Sequence, residues 1–260
     1  MLDKKLKNKL RKRQFTCGSW LQIASPVTAE IMANAGFDWL VVDLEHSVID
    51  LAQMQVIFQV LASRGVTALA RLSANDPVQA KRVMDAGAAG VVVPNVNSAQ
   101  DAQAALAGVK YPPQGSRGVG LARAQKYGAA FQSYFKTANS SSIVIAQIEH
   151  RRAVENIEAI LEVNGIDAFI IGPYDISASY NVAGQFDHPL VKKAISRVKS
   201  AVIKHKKSLG MHVVYPDPPR LKRALRDGFN FLVYSVDTVI LQHYSTDLAA
   251  QVKNLKGGTR

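Results

Sequence analysis

Apolar residues fall into short runs rich in valine, isoleucine and leucine, and most of these runs follow a glycine. Gly36 precedes the run 39–44, Gly65 precedes 67–72, and Gly87 and Gly90 precede 91–96. Gly165 precedes 167–172, Gly210 precedes 211–214 and Gly228 precedes 229–236. A glycine that closes a helix just before a β-branched run marks an αβ junction, because the residue after a helix often turns left-handed. With the runs 18–24 and 142–148, the pattern predicts eight strands, near 18, 39, 67, 91, 142, 167, 210 and 229.

The segments between them read as helices near 26–35, 50–63, 77–86, 98–108, 151–163, 189–207, 218–227 and 238–255. Ser25-Pro26, Asp76-Pro77, His188-Pro189 and Asp217-Pro218 each supply a cap followed by proline in the first turn. Alternating strands and helices over 260 residues predict an α/β fold, a (β/α)8 TIM barrel. A doubly wound open sheet is the alternative. It usually carries a glycine-rich loop after its first strand, whereas here Ala24-Ser25-Pro26 follows. The stretch 111–141 reads as a lid or interface loop with an additional helix.

Composition sharpens this picture. Hydrophobic residues make up 48% and charged residues 20%, which excludes a disordered or fibrous chain. Cys17 is the only cysteine, so intramolecular disulfides and multi-cysteine metal sites are excluded. The net charge is +12, and residues 1–13 hold seven Lys or Arg against Asp3, half of that excess. These residues are expected to form a basic arm outside a single barrel domain, 14–260. Leu2, Leu6 and Leu10 recur at helical spacing, so a solvated terminal helix is the plain expectation. Contact of the arm with RNA, nucleic acid generally, an anionic membrane or a neighbouring subunit is the reading from a different class. No apolar run approaches the ~18 residues of a membrane span. No apolar segment and small-residue cleavage site follow the basic stretch, so a cytoplasmic protein is expected.

Barrel active sites sit at the C-terminal ends of the strands, and polar residues gather there. The second strand ends in Asp43-Leu44-Glu45-His46 and the third in Arg71; the fifth carries Gln147 and Glu149. The sixth runs into Gly172-Pro173-Tyr174-Asp175. Gln147 and Glu149, two apart, share one side of a strand while Ile148 faces the helices. Glu149 and Asp175 suit a hard divalent ion, Mg²⁺ or Mn²⁺, which takes one or two carboxylates and fills its shell with substrate oxygens and water. Arg71 offers a fixed charge for a developing oxyanion, and His46 a proton carrier near neutral pH. No strand interior holds a lysine, which argues against a Schiff-base aldolase. No G-x-x-x-x-G-K-[ST], H-E-x-x-H or G-x-S-x-G motif occurs, so nucleotide triphosphatase, zincin and serine-hydrolase readings fall away, and no nucleotide cofactor is expected.

From Gly18 to Thr238 the chain resembles the metal-dependent, class II pyruvate aldolases of the HpcH/HpaI family. The motifs are Gly36-Phe37-Asp38-Trp39 with Asp43-x-Glu45-His46, Asn75-Asp76-Pro77 with Asp85-x-Gly87, and Val93-Pro94. They continue with Tyr111-Pro112-Pro113-x-Gly115-x-Arg117-Gly118-Val119-Gly120, Gln147-x-Glu149 and Gly172-Pro173-x-Asp175-x-Ser177. The resemblance implies a lyase that makes or cleaves 4-hydroxy-2-oxo acids through a pyruvate enolate, giving pyruvate plus an aldehyde. It implies Mg²⁺, Mn²⁺ or Co²⁺ on Glu149 and Asp175. Arg71, Gln147, Gly172, Pro173, Tyr174, Asp175 and His212 would bind the substrates. His46 would act as base or activate a water, with Asp43 orienting its region and Asp85 of a neighbouring subunit raising its basicity. A homo-oligomer follows, typically a hexamer built as a trimer of dimers with the last helix exchanged.

Three positions depart from the family pattern. Leu44 stands where the family has glycine, Tyr174 where a small residue is common, and His212 where an aliphatic one is. Tyr174 and His212 are expected to narrow the acceptor pocket and favour a polar or acidic aldehyde. Another metal-assisted keto-acid lyase, or an oxaloacetate decarboxylase, would share the same enolate and the same residues.

Overall fold

The computed structural model describes residues 4–257, with side chains described to residue 255. The chain opens with helix α1 (Lys4–Arg11), followed by β1 (Thr16–Leu21), α2 (Pro26–Asn34), β2 (Trp39–Asp43), α3 (Leu51–Ser63) and β3 (Thr67–Arg71). Then come α4 (Pro77–Asp85), β4 (Gly90–Val93), α5 (Ala99–Val109), a 3-10 turn (Arg123–Gln125), α6 (Phe131–Ser141) and β5 (Ile143–Ile148). The second half holds α7 (Arg151–Glu155), α8 (Ile157–Leu161), β6 (Ala168–Ile171), α9 (Pro173–Ser179) and α10 (Pro189–Lys204). It closes with β7 (Ser208–Val213), α11 (Pro218–Arg226), β8 (Phe231–Val236) and α12 (Asp237–Gly257). The strands pair in parallel in chain order and β8 pairs with β1, a closed barrel as the sequence pattern predicts.

The two-residue period of each strand decides what faces the axis. Trp39 and Val41 of β2 enter the barrel interior while Leu40 and Val42 pack under the helices; Ile143 and Ile145 of β5 point in while Val144, Ala146 and Ile148 point out. Continuing the same parity brings Asp43, Arg71, Gln147 and Glu149 inward at the C-terminal end. Trp39 stacks on Phe231 with centroids 4.4 Å apart, filling the lower interior. Gly18 permits this, because a Cβ there would stand 2.2 Å from the Trp39 ring.

The first helix corrects the expectation of a solvated arm. Leu6 and Leu10 are buried in the barrel's interior cluster, so α1 closes the N-terminal end as a floor. Lys7 is buried with them, its Nζ donating to Asp167 Oδ2 at 2.9 Å and to the Ser142 carbonyl at 2.5 Å. Those leucines are spent on the barrel and are not offered to a lipid surface; Leu2 lies outside the described residues. Among the described residues no helix is long and apolar enough to cross a membrane.

The segment 111–141 does contain an additional helix, α6, but it is not a lid over this chain's strand ends. It joins α5 to β5 and therefore lies at the N-terminal end of the barrel. There Tyr111, Ala124, Tyr134 and Ala138 form a small cluster of their own. The helix expected over 151–163 is broken at Asn156 into α7 and α8. At the other end of the chain, α12 leaves the barrel with Leu241, Tyr244, Leu248, Val252 and Leu255 exposed at helical spacing.

Candidate active site

Asp43 and Arg71 are register partners at the ends of β2 and β3. Arg71 donates from Nε to Asp43 Oδ1 at 2.8 Å and from Nη2 to Oδ2 at 2.6 Å, a two-pronged clamp that leaves Nη1 3.1 Å from Glu45 Oε2. The guanidinium also lies 4.0 Å over the Trp20 ring, and His212 stacks on that ring at 5.7 Å. Burial alone would raise the Asp43 carboxyl, but the Arg71 hydrogen bonds and charge hold it below its ordinary value. Gln22 Nε2 adds a further bond at 2.8 Å, and Gln22 Oε1 accepts from Thr238.

Asp43 also shapes the loop after β2. Its Oδ1 accepts the backbone N–H groups of Glu45 at 3.1 Å and His46 at 3.3 Å. His46 is thereby fixed at its backbone, and its imidazole, 61% exposed, sits at the rim with Nε2 3.9 Å from Glu45 Oε2. Glu45 is pushed up by burial and by the Asp43 and Asp175 charges, with Arg71 opposing.

Across the mouth, Glu149 follows β5 and is 4% exposed. Its Oε1 accepts the Asn95 N–H at 2.6 Å and its Oε2 accepts from Gln147 Nε2. Burial pushes its carboxyl up to about 7, aided by the Asp175 and Glu45 charges and opposed by those two hydrogen bonds. A Cβ on Gly172 would lie 2.9 Å from Glu149 Cβ, 3.3 Å from Glu149 Oε2 and 3.5 Å from Asp175 Oδ2. Both carboxylates thus converge on one small space that only glycine leaves open. Two hard oxygen donors, one of them buried and raised in pKa by that burial, fit a divalent cation.

Arg71, Gln147, Gly172, Pro173, Tyr174, Asp175 and His212 line one pocket of about 80 Å³ with Trp20. That is well under the ~300–1,000 Å³ of drug-sized clefts, so the pocket suits a small acid. Trp20 Nε1 and Gln147 Oε1 are buried with no partner among the described residues. Tyr174, 49% exposed, packs edge-on against Phe186 at the outer lip. His212 Nε2 lies 3.2 Å from the Ser235 carbonyl, and burial lowers the imidazole to about 4, so it is neutral at physiological pH. A larger hollow of about 530 Å³ opens at the other end of the barrel, beside Arg123, Lys126 and Tyr127, but no carboxylate or histidine lines it.

Within one chain the structure does not bring Asp85 to these groups. It ends α4 at the N-terminal end of the barrel, where Arg117 Nη2 donates to it at 2.5 Å. Sequence reasoning missed Trp20, Gln22 and Asp237 as parts of the site. Asp237 accepts the N–H groups of Gln22 at 2.9 Å and Ile23 at 3.0 Å and so fixes the end of β1. The available signal was the inward parity of 20 on β1, continued to 22 just past it, and of 237 after β8.

A closed barrel whose mouth brings a clamped guanidinium, an imidazole and two convergent carboxylates to a small pocket has the groups for metal-assisted chemistry on a small acid. The known proteins agree. Residues 16–243 match the HpcH/HpaI aldolase/citrate lyase family, and the chain belongs to that family. A curated 4-hydroxy-2-oxo-heptane-1,7-dioate aldolase from Salmonella paratyphi C is 38% identical over 247 residues, 93% of each chain. The crystal structure of an HpcH/HpaI aldolase/citrate lyase family protein from Burkholderia cenocepacia superposes with a TM-score of 0.92 at 30% identity, covering 96% of this chain and 100% of that one. An HpcH/HpaI aldolase from Desulfitobacterium hafniense gives 0.87 at 31%, covering 95% and 96%. The protein is a class II aldehyde-lyase, an enzyme of the metal-dependent type.

Proposed function

We propose that this aldolase cleaves a 4-hydroxy-2-oxo diacid of the 4-hydroxy-2-oxoheptanedioate kind to pyruvate and an acidic aldehyde, and runs the addition in reverse. The observation that carries the reading is the Asp43-clamped Arg71 sharing a pocket of about 80 Å³ with Gln147, Gly172 and Asp175, while Glu149 closes on the other side of Gly172. Glu149 and Asp175 would hold Mg²⁺, Mn²⁺ or Co²⁺, which when bound draws electron density from the 2-oxo group and the neighbouring carboxylate. Gln147, with its unpartnered Oε1, and the Gly172-Pro173-Tyr174 turn would seat the pyruvyl half.

In the cleavage direction, His46 takes the proton of the 4-hydroxyl and the C3–C4 bond breaks. The aldehyde leaves, and the electron pair passes to the 2-oxo oxygen as an enolate. Arg71 stabilises that charge, and no reorganisation is needed because Asp43 and Trp20 already hold the guanidinium in place. A proton delivered to C3 completes pyruvate. Asp43 orients the His46 loop. Asp85 would reach a partner's His46 only in an oligomer, in keeping with a hexamer in which α12, with its exposed apolar stripe, is exchanged. His212 and Tyr174 narrow the acceptor side and add polar groups there, which favours a polar or acidic aldehyde. Such soluble substrates suit a cytoplasmic setting.

The test is pyruvate release from 4-hydroxy-2-oxoheptanedioate, coupled to lactate dehydrogenase, with Mg²⁺ or Mn²⁺ and then EDTA. Metal-dependent pyruvate with stoichiometric aldehyde is the expected outcome. Carbon dioxide from oxaloacetate with no aldol cleavage would favour the decarboxylase reading instead.

A further inference from the structure

The N-terminal end of the barrel, remote from the mouth, holds a second concave site. A hollow of about 260 Å³ opens between α1, the turn before β6 and the turn between α10 and β7. Arg11, Lys206 and Lys207 line it, with Leu10 and Ile166 as its apolar wall. His205 also borders it, but is engaged with Glu158 at 2.8 Å. The carboxylate in the wall, Asp167, is already used. Its Oδ2 accepts from Lys7 Nζ at 2.9 Å and from the Val144 N–H at 3.0 Å, while Arg11 Nε stands 3.9 Å from Oδ1. Behind it Lys110 is buried beside Lys7, its Nζ bonded to Ser142 Oγ at 2.7 Å and to the Ser142 and Asn139 carbonyls. Burial, with the Lys7 and Arg11 charges, pushes the Lys110 amine down to about 7. Arg11, Lys206 and Lys207 thus share the hollow with one carboxylate that Lys7 already pairs from behind.

We infer that this hollow binds the diphosphate group of a small molecule. A single carboxylate would meet one of three separated cations. A diphosphate presents several anionic oxygens on two centres and can engage Arg11 on one wall and Lys206 with Lys207 on the other. No Phe, Tyr or Trp lines the hollow, and the His205 ring is held by Glu158, so it lacks the stacking platform that single-stranded nucleic acid uses. The same group occurs in inorganic pyrophosphate and in nucleoside diphosphates. Because α1 forms one wall, the bound anion ties the floor helix to the barrel and stabilises the fold without entering the mouth.

Titration calorimetry of the full chain, metal-free in EDTA at pH 7 and low salt, tests this with sodium pyrophosphate, inorganic phosphate and ADP. Pyrophosphate is expected to bind once per chain, about ten-fold or more tighter than phosphate, and to raise the thermal midpoint. The Lys206→Ala/Lys207→Ala variant should lose about ten-fold or more in affinity, and Arg11→Ala should lose affinity too, while both keep aldol cleavage. ADP binding tighter than pyrophosphate assigns the source to a nucleotide, and equal or weaker binding to free diphosphate. Three results would overturn the inference: no binding at about 1 mM pyrophosphate, affinity that survives the double substitution, or affinity abolished by Arg71→Ala at the mouth. Displacement of pyrophosphate by a short RNA at lower concentration would likewise overturn it in favour of a nucleic-acid surface.

Discussion

Replacing Lys7 by methionine isolates the contribution of the barrel floor. The side chain keeps its length and apolar stem but loses the ammonium that bonds Asp167 Oδ2 at 2.9 Å and the Ser142 carbonyl at 2.5 Å. The Ser142 carbonyl keeps Lys110 at 2.8 Å, so the main loss falls on Asp167, whose side chain is 5% exposed. Removing one partner of a buried pair costs ~3–5 kcal/mol, because the other charge is left uncompensated. The remaining Val144 N–H at 3.0 Å and Arg11 at 3.9 Å place this case at the lower end, about 3 kcal/mol. For a domain of this size that corresponds to a fall of roughly 6–12 °C in the thermal midpoint. Adding Asp167→Asn removes the stranded charge and keeps an acceptor for Val144, so the double variant should return to within about 1 kcal/mol of the parent. Urea and thermal midpoints by circular dichroism, at matched protein concentration, give the double-mutant cycle. A Lys7→Met cost under about 1 kcal/mol with no coupling to Asp167 would refute the reasoning and return α1 to the status of an appended arm.

Other outcomes follow from the mouth. Gly172→Ala places a methyl 2.9 Å from Glu149 Cβ and beside both carboxylates, so activity should fall at least about 100-fold while the fold by circular dichroism persists; near-parental turnover would contradict the cradle. Asp43→Asn keeps one acceptor oxygen and turns an NH2 donor towards either Arg71 Nη2 and Gln22 or Arg71 Nε and the loop N–H groups, so half the clamp is lost and kcat should fall by about 100-fold or more with a smaller effect on KM. The His212 imidazole, at about 4 when folded against an ordinary 6.5, binds its proton more readily in the unfolded chain. Its contribution is present above pH 6.5 and is lost as pH falls towards 4, so His212→Leu should flatten the acid side of a midpoint-against-pH curve. Tyr174→Ala should widen the acceptor profile towards bulkier aldehydes, read from relative kcat/KM; an unchanged profile contradicts its place at the lip.

Much of the barrel was legible because its two signals are local. Helix ends at Gly36, Gly65, Gly87, Gly165 and Gly228 all take positive φ, which is what their position before apolar runs implied. The inward polar residues at 43, 71, 147 and 149 follow from strand parity alone. What periodicity does not report is which elements meet across the barrel. The basic helix read as solvated because charge dominates its sequence, yet two leucines and one lysine suffice to seat it under the strands. Trp20 reads as core on its strand, and only the closed barrel brings Arg71 over its face. The helix α9 was missed because Gly172-Pro173 looks like a loop, although proline is well suited to a first helical turn.

The central claim is enolate chemistry at the Arg71–Glu149–Asp175 mouth. Its most direct test is proton-to-deuterium exchange of the pyruvate methyl group in D₂O, followed by NMR with Mg²⁺ or Mn²⁺ and then with EDTA, which needs no assumption about the aldehyde. Exchange that requires the metal, stops with EDTA and falls sharply in Arg71→Ala and Glu149→Ala is the expected result. Absence of exchange with every divalent ion, or exchange that persists unchanged in both variants, would contradict the account.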